Sequence, residues 1–447
     1  GGIPTDCDPL SVAAGTAIPA SCGVFVDTAA TAASEAGTRA APYKSLATAL
    51  AAVSANQPIY VCTSPLDEAA LLESSTRLYG GLDCTTWQTG DAAARTPWTA
   101  PANEVPLAVR GAGVSATVAG FAVTARDATG TEPSGQGQSS IAAWVEAASV
   151  TLDRVELVAG DGAAGANGQA PPAAAAQAPN GTAGANGCVD NANKAGGSGG
   201  QNTCEDALGN TVNVNGGAGG TGTNSTEGGN GSAGQPSGQG GSFGAGQVNA
   251  TVCTAGGVGT QGTPAPAATL PASHPGTLDA TGYHGPAPVD GPRGAPGTGG
   301  GGGGGARQCA QNATFAGPGG GGGGAGGCGG LGGRGGAPGG ASLALVAVEG
   351  ATVQLAGARL GSAQAGQGGQ GALGQAGQQG GFMGSPALSG APGTNNSDAD
   401  AFACNGGGGG RGGNGGPGTG GAGGTSALIA RDATSQVTRS GPADADT

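Results

Sequence analysis

The tracts Gly300–Gly305, Gly319–Gly324 and Gly406–Gly410 offer no side chain from which a core could be built. They sit in a chain of 447 residues with 103 glycines, 3% aromatic and 10% charged residues. Glycine and alanine bury little apolar area for each residue ordered, so a conventional core along the whole length is excluded. Disorder is the usual reading of such composition, but disordered chains are normally rich in charge and this one is not. The excursions run from about Gly160 to Gly340 and from Gly361 to Gly424 and lack strict Gly-X-Y periodicity, which disfavours collagen. The ordered state that fits is a bundle of polyglycine-II or polyproline-II helices. These have three residues per turn and no internal hydrogen bonds, so their N–H and C=O groups need lateral partners. Glycine lets neighbours approach closely enough to bond sideways in a hexagonal array, and the scattered prolines fit the same backbone. Irregular Ω-like loops and additional thin β-helix rungs are the alternatives.

The first 160 residues have a normal core: they hold Trp87, Trp98 and Trp144 and three of the four tyrosines, Tyr43, Tyr60 and Tyr79. Val24–Val26, Pro58–Cys62, Leu71–Glu73, Arg77–Leu82 and Leu107–Val109 read as strands separated by turn residues. Apolar residues recur at helical spacing from Ser45 to Val53, with Ser45 suited to the N-cap. Val145–Leu152 returns 203 residues later as Val348–Leu355, and both copies then dissolve into Gly/Ala/Asn/Gln sequence. A weaker copy runs Ala427–Thr434, and Ala116–Val123 is an earlier relative. Repeats that share strands but differ in the segments leaving them describe a solenoid with insertions, each rung burying its face only against the next.

The order of a strand, then GTRAAPYKSLATALAAV from Gly37, then Ile59–Cys62, then LYGGLDCTTW from Leu78, resembles Gly-rich right-handed parallel β-helix surface proteins and lipoproteins of myxobacteria-like bacteria. The likeness covers roughly residues 20 to 160. It implies export, a helix plugging one end of the solenoid and a Cys62–Cys84 pair, and it implies no enzyme activity. The resulting expectation is an all-β chain. Residues 1–105 form a disulfide-stapled cap and first coils, 106–160 further rungs and 161–340 a Gly-rich insertion. Residues 341–360 form a rung, 361–424 a second insertion, and 425–447 the last rung and tail.

Ten cysteines, Cys7, Cys22, Cys62, Cys84, Cys188, Cys204, Cys253, Cys309, Cys328 and Cys404, contain no CxxC pair. With only His274 and His284 beside them, five disulfides in an oxidising compartment fit better than zinc. Proximity pairs Cys7 with Cys22, and the six from Cys188 to Cys404 would staple the glycine helices and offset their ordering entropy. The chain opens on Gly1-Gly2 without a signal sequence, and the expectation is that an export signal has been removed, with a lipid anchor there left open. A net charge of −13 makes nucleic acid and anionic membrane surfaces poor partners, and no run of 18 apolar residues is present to span a bilayer.

Catalytic chemistry is sparse, and no catalytic residue, metal site or cofactor is assigned. A polysaccharide-active enzyme would need converging acids, for which the rungs offer Asp127, Asp153, Glu146, Glu156, Arg126 and Arg154. Glu146 and Glu349 occupy equivalent repeat positions and suggest a solvated ladder or turn feature. His274 and His284 lie in Pro-rich loop sequence, and the calcium-loop-like stretch Ala159–Gly168 does not repeat. Sequons at Asn180, Asn224, Asn230, Asn249, Asn312 and Asn396 are opportunities for glycosylation rather than signs of it. The expectation is a non-catalytic, secreted or cell-surface structural protein that self-associates into a filament or layer through stacked coils and Gly-rich faces. A surface adhesin or glycan-binding module, less readily an ice binder, and a β-helix enzyme are the alternatives.

Overall fold

A computed structural model describes residues 4–31, 35–54, 57–91, 93–173, 176–249, 251–270, 275–389 and 401–440. The chain begins with β1 (Val24–Val26), α1 (Leu46–Ala52) and β2 (Pro58–Cys62). Ser45 caps α1 by accepting from Thr48 N–H at 3.1 Å, and Glu68 accepts from Leu46 and Ala47 N–H. The strands then come in threes. One circuit is β3 (Leu66–Asp67), β4 (Ala70–Leu72) and β5 (Thr76–Leu82), and the next β6 (Thr96–Thr99), β7 (Leu107–Arg110) and β8 (Ser115–Ala119). They are followed by β9 (Phe121–Thr124), β10 (Ser140–Glu146), β11 (Ser149–Asp153) and β12 (Glu156–Val158).

The first glycine-rich excursion leaves after β12 and contains two hairpins that the sequence reading missed. They are β13 (Thr203–Glu205) with β14 (Thr211–Asn213), and β15 (Thr277–Asp279) with β16 (Gly282–His284). The chain resumes the circuit with β17 (Ser342–Val348), β18 (Thr352–Ala356) and β19 (Arg359–Gly361). After the second excursion come β20 (Ser426–Arg431) and β21 (Gln436–Ser440). Successive circuits pair in parallel into three sheets: β1-β2-β5-β8-β11-β18-β21, β4-β7-β10-β17-β20 and β3-β6-β9-β12-β19. Among the described residues the regular structure is thus almost all strand, in parallel sheets apart from the two hairpins, with one short α-helix.

In-register stacking explains how such short strands hold. Ile59, Leu78, Val118, Leu152 and Leu355 lie over one another and are 2% exposed or less. Each such side chain contributes about 1.5–3 kcal/mol on burial, which a strand without its stacked neighbours could not reach. Two core ladders end on charge: Leu355 pairs with Arg439, and Ala347 with Arg431. At the other end α1 buries Leu46 and Ala49 in the same core. On the outer face of the longest sheet, Phe25, Tyr60 and Tyr79 stack in register with Trp87 against Phe25. Burial holds the Tyr60 and Tyr79 phenols above their usual range.

Two readings of the repeat need correction. Ser149 pairs with Thr352 at the expected offset, but Glu146 pairs with Val348 and not with Glu349. The second copy has one more turn residue: Ala147 and Glu349 both have positive φ, and Gly350, with φ +77°, is the addition. Glu349 instead donates its N–H to Asp432 at 2.7 Å. Ala116 aligns with Val150, so residues 116–123 match a different strand of the circuit from the one the sequence comparison chose.

Asp432 organises the neighbouring turn as well, accepting from the N–H groups of Thr434 and Ser435. Burial raises its pKa, but these bonds and the Glu349 N–H outweigh that and bring it down to about 2. A depressed carboxyl contributes stability above its ordinary pKa of about 4 and loses it as pH falls toward 2. We therefore expect the last circuit to lose protection from proteolysis between pH 4 and 2. In Asp432→Asn that pH dependence should disappear.

Candidate functional site: the glycine bundle and its surroundings

The excursions form a second body made of extended segments rather than strands. Residues 299–305 donate in rotation to three neighbours. Gly299, Gly302 and Gly305 bond Gln235, Ser232 and Gly229, Gly300 and Gly303 bond Gly324 and Gly321, and Gly301 and Gly304 bond Gly257 and Thr254. Their carbonyls accept in the same rotation from Gly241, Gly244 and Gln247, from Gly217 and Gly220, and from Gly407 and Cys404. Residues 319–327 repeat the scheme. They donate to segments 179–185, 214–220 and 404–410 and accept from 197–200, 297–303 and 381–387. A partner that recurs every third residue requires a backbone with three residues per turn.

Glycine is required here by contact rather than by φ. A Cβ on Gly300, Gly301 or Gly302 would stand 2.2, 1.9 or 1.8 Å from the carbonyl oxygens of Gly407, Ser242 and Ala218. All three sides of this segment meet backbone, so no side chain fits on any of them. Outer segments meet neighbours on fewer sides, which gives glycine at every third place, as in Gly162, Gly165, Gly168 and Gly371, Gly374, Gly377, Gly380. That spacing is legible in the sequence only locally, because it does not persist through a whole excursion.

Segments 214–223 and 401–424 each bond both central segments and do not bond each other, so they lie on opposite sides of that pair. The first is flanked by 195–200 and 228–235, the second by 253–268 and 364–388. At the rim, side chains replace missing backbone partners. Asp161, Asn167, Asn180 and Asn186 accept from the N–H groups of Gln364, Gln370, Phe382 and Leu388. Asn180, a sequon residue, is therefore engaged in holding the edge, while Asn396 lies outside the described residues.

The disulfides are Cys7–Cys22, Cys62–Cys84, Cys188–Cys309, Cys204–Cys328 and Cys253–Cys404. The last three join bundle segments 121, 124 and 151 residues apart. Five disulfides fit an oxidising, non-cytoplasmic compartment, and among the described residues no helix is long and apolar enough to cross a membrane.

The charged candidates do not form one group. Glu146 pairs with Arg110 at 2.8 Å, Arg126 with Asp67 at 2.8 Å and Arg154 with Asp153 at 3.1 Å. Glu146, Asp153 and Glu156 stand on three different sheets. Asp127 and Asp161 accept backbone N–H groups of Asp161 and Gln364. His284 is on β16 rather than in a loop, with Asp279 at 3.2 Å and Thr281 at 2.8 Å, and His274 lies outside the described residues. Thr281 and His284 bring Asp279 down to about 2. Among the described residues, Asp27 beside Cys62 and Cys84 groups three residues of metal-ligating type, but the two sulfurs are tied in a disulfide.

Tyr283 of the β15–β16 hairpin packs on Ile141, Trp144 and Leu343, covering the outer face of the β4-β7-β10-β17-β20 sheet. A groove of about 400 Å³ beside it is lined by Leu71, Val105, Trp144 and Tyr283, with Arg110 and Gln138 among its polar residues. Another of about 580 Å³ lies by Cys204–Cys328, where Arg293 meets Glu205 at 2.6 Å. No family model, curated protein or solved structure matches this chain.

Proposed function

We propose that this chain is a non-catalytic, secreted structural protein of the cell exterior, a right-handed parallel β-helix carrying a polyglycine-II bundle, whose copies associate. The single observation that carries this is the rotating hydrogen-bond scheme of residues 299–305 and 319–327. The interior of the bundle is all main chain, so it supplies rigidity and shape but no reactive group. The separation and pairing of Glu146, Asp153 and Arg126 support the same reading. The β-helix surface proteins of myxobacteria-like bacteria remain the kin we propose.

Association through stacked coils finds less support than association through the bundle. One end of the solenoid is plugged by α1, and at the other Arg431 and Arg439 stand at the ends of core ladders, a device that keeps sheet ends from joining. The Gly-rich faces carry no such guard. The groove beside Trp144 and Tyr283 favours glycan adhesion as a second reading. Sedimentation velocity over a concentration series tests the main one: reversible association is expected, and a strictly monomeric protein at high concentration would contradict it.

A further inference from the structure

The two outer rows of the bundle differ in chemistry. On the row of 195–200, 214–223 and 228–235, exposed positions such as Ala195, Ser198, Ala218, Thr221 and Ser232 are small or polar. On the row of 252–268, 401–424 and 364–388, Val252, Val258, Leu373, Phe382, Leu388 and Phe402 are 48 to 78% exposed. They occur at multiples of three within each segment and so stand on one face. Hydrogen bonds fix their levels. Gly259 to Gly408 and Gly409 to Gly381 put Val258, Gly408 and Phe382 side by side, and the same register aligns Val252, Phe402 and Leu388.

The central segment of this face dips at Gly408, Gly420 and Gly423, where an added Cβ would meet nothing nearer than 3.7 Å, and carries Arg411, Asn414 and Pro417 between them at the same spacing. Among the described residues the N–H groups of these three glycines are unpaired, as are the carbonyls of Gly406, Gly409 and Gly412. At the outward three-residue spacing of the row, Arg411 is the only formal charge, in a chain of net charge −13.

Resting on the association proposed above, we infer that this face is where two copies meet, about a two-fold axis parallel to the segments and lying between 364–388 and 401–424. That operation keeps every residue at its own level and moves it across to the facing segment of the partner. Phe382 of each copy then lies over Gly408 of the other. Gln370 and Gln367 lie over Gly420 and Gly423, where their carboxamides can take the unpaired backbone groups. Arg411 faces a neutral Gln379 rather than its own counterpart. A face with a three-residue backbone period, dips at glycine and free donors fits a facing surface with the same period, which a second copy supplies. The near-neutral face lets two acidic chains approach without strong repulsion.

Sedimentation velocity of the full chain tests this with Phe382→Glu, Leu373→Glu and, on the opposite row, Ala218→Glu. All three sites are exposed, so intact disulfides and an unchanged melting temperature verify folding. The expected result is a dimer whose dissociation constant rises at least about tenfold in the first two variants and stays unchanged in the third. Gly408→Ala should weaken it several-fold without altering stability. A wild type that dimerises equally well with Phe382→Glu and Leu373→Glu overturns the inference and leaves the association standing. A wild type that never dimerises overturns both.

Discussion

Gly301→Ala is expected to destabilise the bundle by about 3 kcal/mol or more, whereas Gly408→Ala should change stability by less than about 0.5 kcal/mol. At Gly301 the new methyl would stand 1.9 Å from the Ser242 carbonyl oxygen, against 3.8 Å to the nearest atom at Gly408. The obstacle is main chain, which cannot turn aside as a side chain can. Overpacking alone costs about 1–3 kcal/mol. Parting the segments also breaks the bonds from Gly241 N–H to Gly299 and from Gly244 N–H to Gly302, at about 1 kcal/mol each. At Gly408 the alanine makes no clash and reduces the freedom of the unfolded chain, a small gain. Denaturant unfolding of the two variants measures the contrast. Equal effects would mean that glycine is needed for something other than lateral approach.

The second large effect concerns the staples. Ordering a glycine costs more entropy than ordering any other residue, and the bundle has almost no apolar burial to offset it. Cys253–Cys404 closes 151 residues and ties segment 253–268 to 401–424, which bonds both central segments. On the chain-entropy estimate a loop of that size is worth about 5 kcal/mol, against about 3 kcal/mol for the 15 residues closed by Cys7–Cys22. Replacing Cys253 and Cys404 together by alanine should therefore lower unfolding stability by about 4–5 kcal/mol, and more than the Cys7/Cys22 pair does. The loss should appear first in the bundle, while the sheets keep their circular-dichroism signal. Calorimetry of the two double variants decides the order.

How far the sequence announces this architecture depends on where side chains carry the information. The Ser45 cap, β1, β2 and the in-register repeat of Val150 and Val353 are legible because alternating apolar residues must face one core. Glu349 misleads because a single inserted turn residue, Gly350, shifts one strand against the next without disturbing the pattern on either side. Short strands such as β3 and β12 are set by the strands they stack on and have little pattern of their own. In the bundle the information lies in the missing side chains: the tracts Gly300–Gly305 and Gly319–Gly324 are central, whereas the spaced glycines and the tract Gly406–Gly410 belong to outer segments. Neighbour identity could not be read, since glycine says that something approaches but not which segment does. The face carrying Phe382 emerges only once Val258, Gly408 and Phe382 are known to share a level.

Native-state amide hydrogen exchange at residues 299–305 and 319–324 tests the central claim most directly. Every N–H there donates to another segment and lies in the interior, so exchange should be slowed by several orders of magnitude and should accelerate together when the Cys253–Cys404 bond is removed. Exchange at the rate of free glycine peptides would contradict the account, because main chain bonded only to water could not hold these segments together.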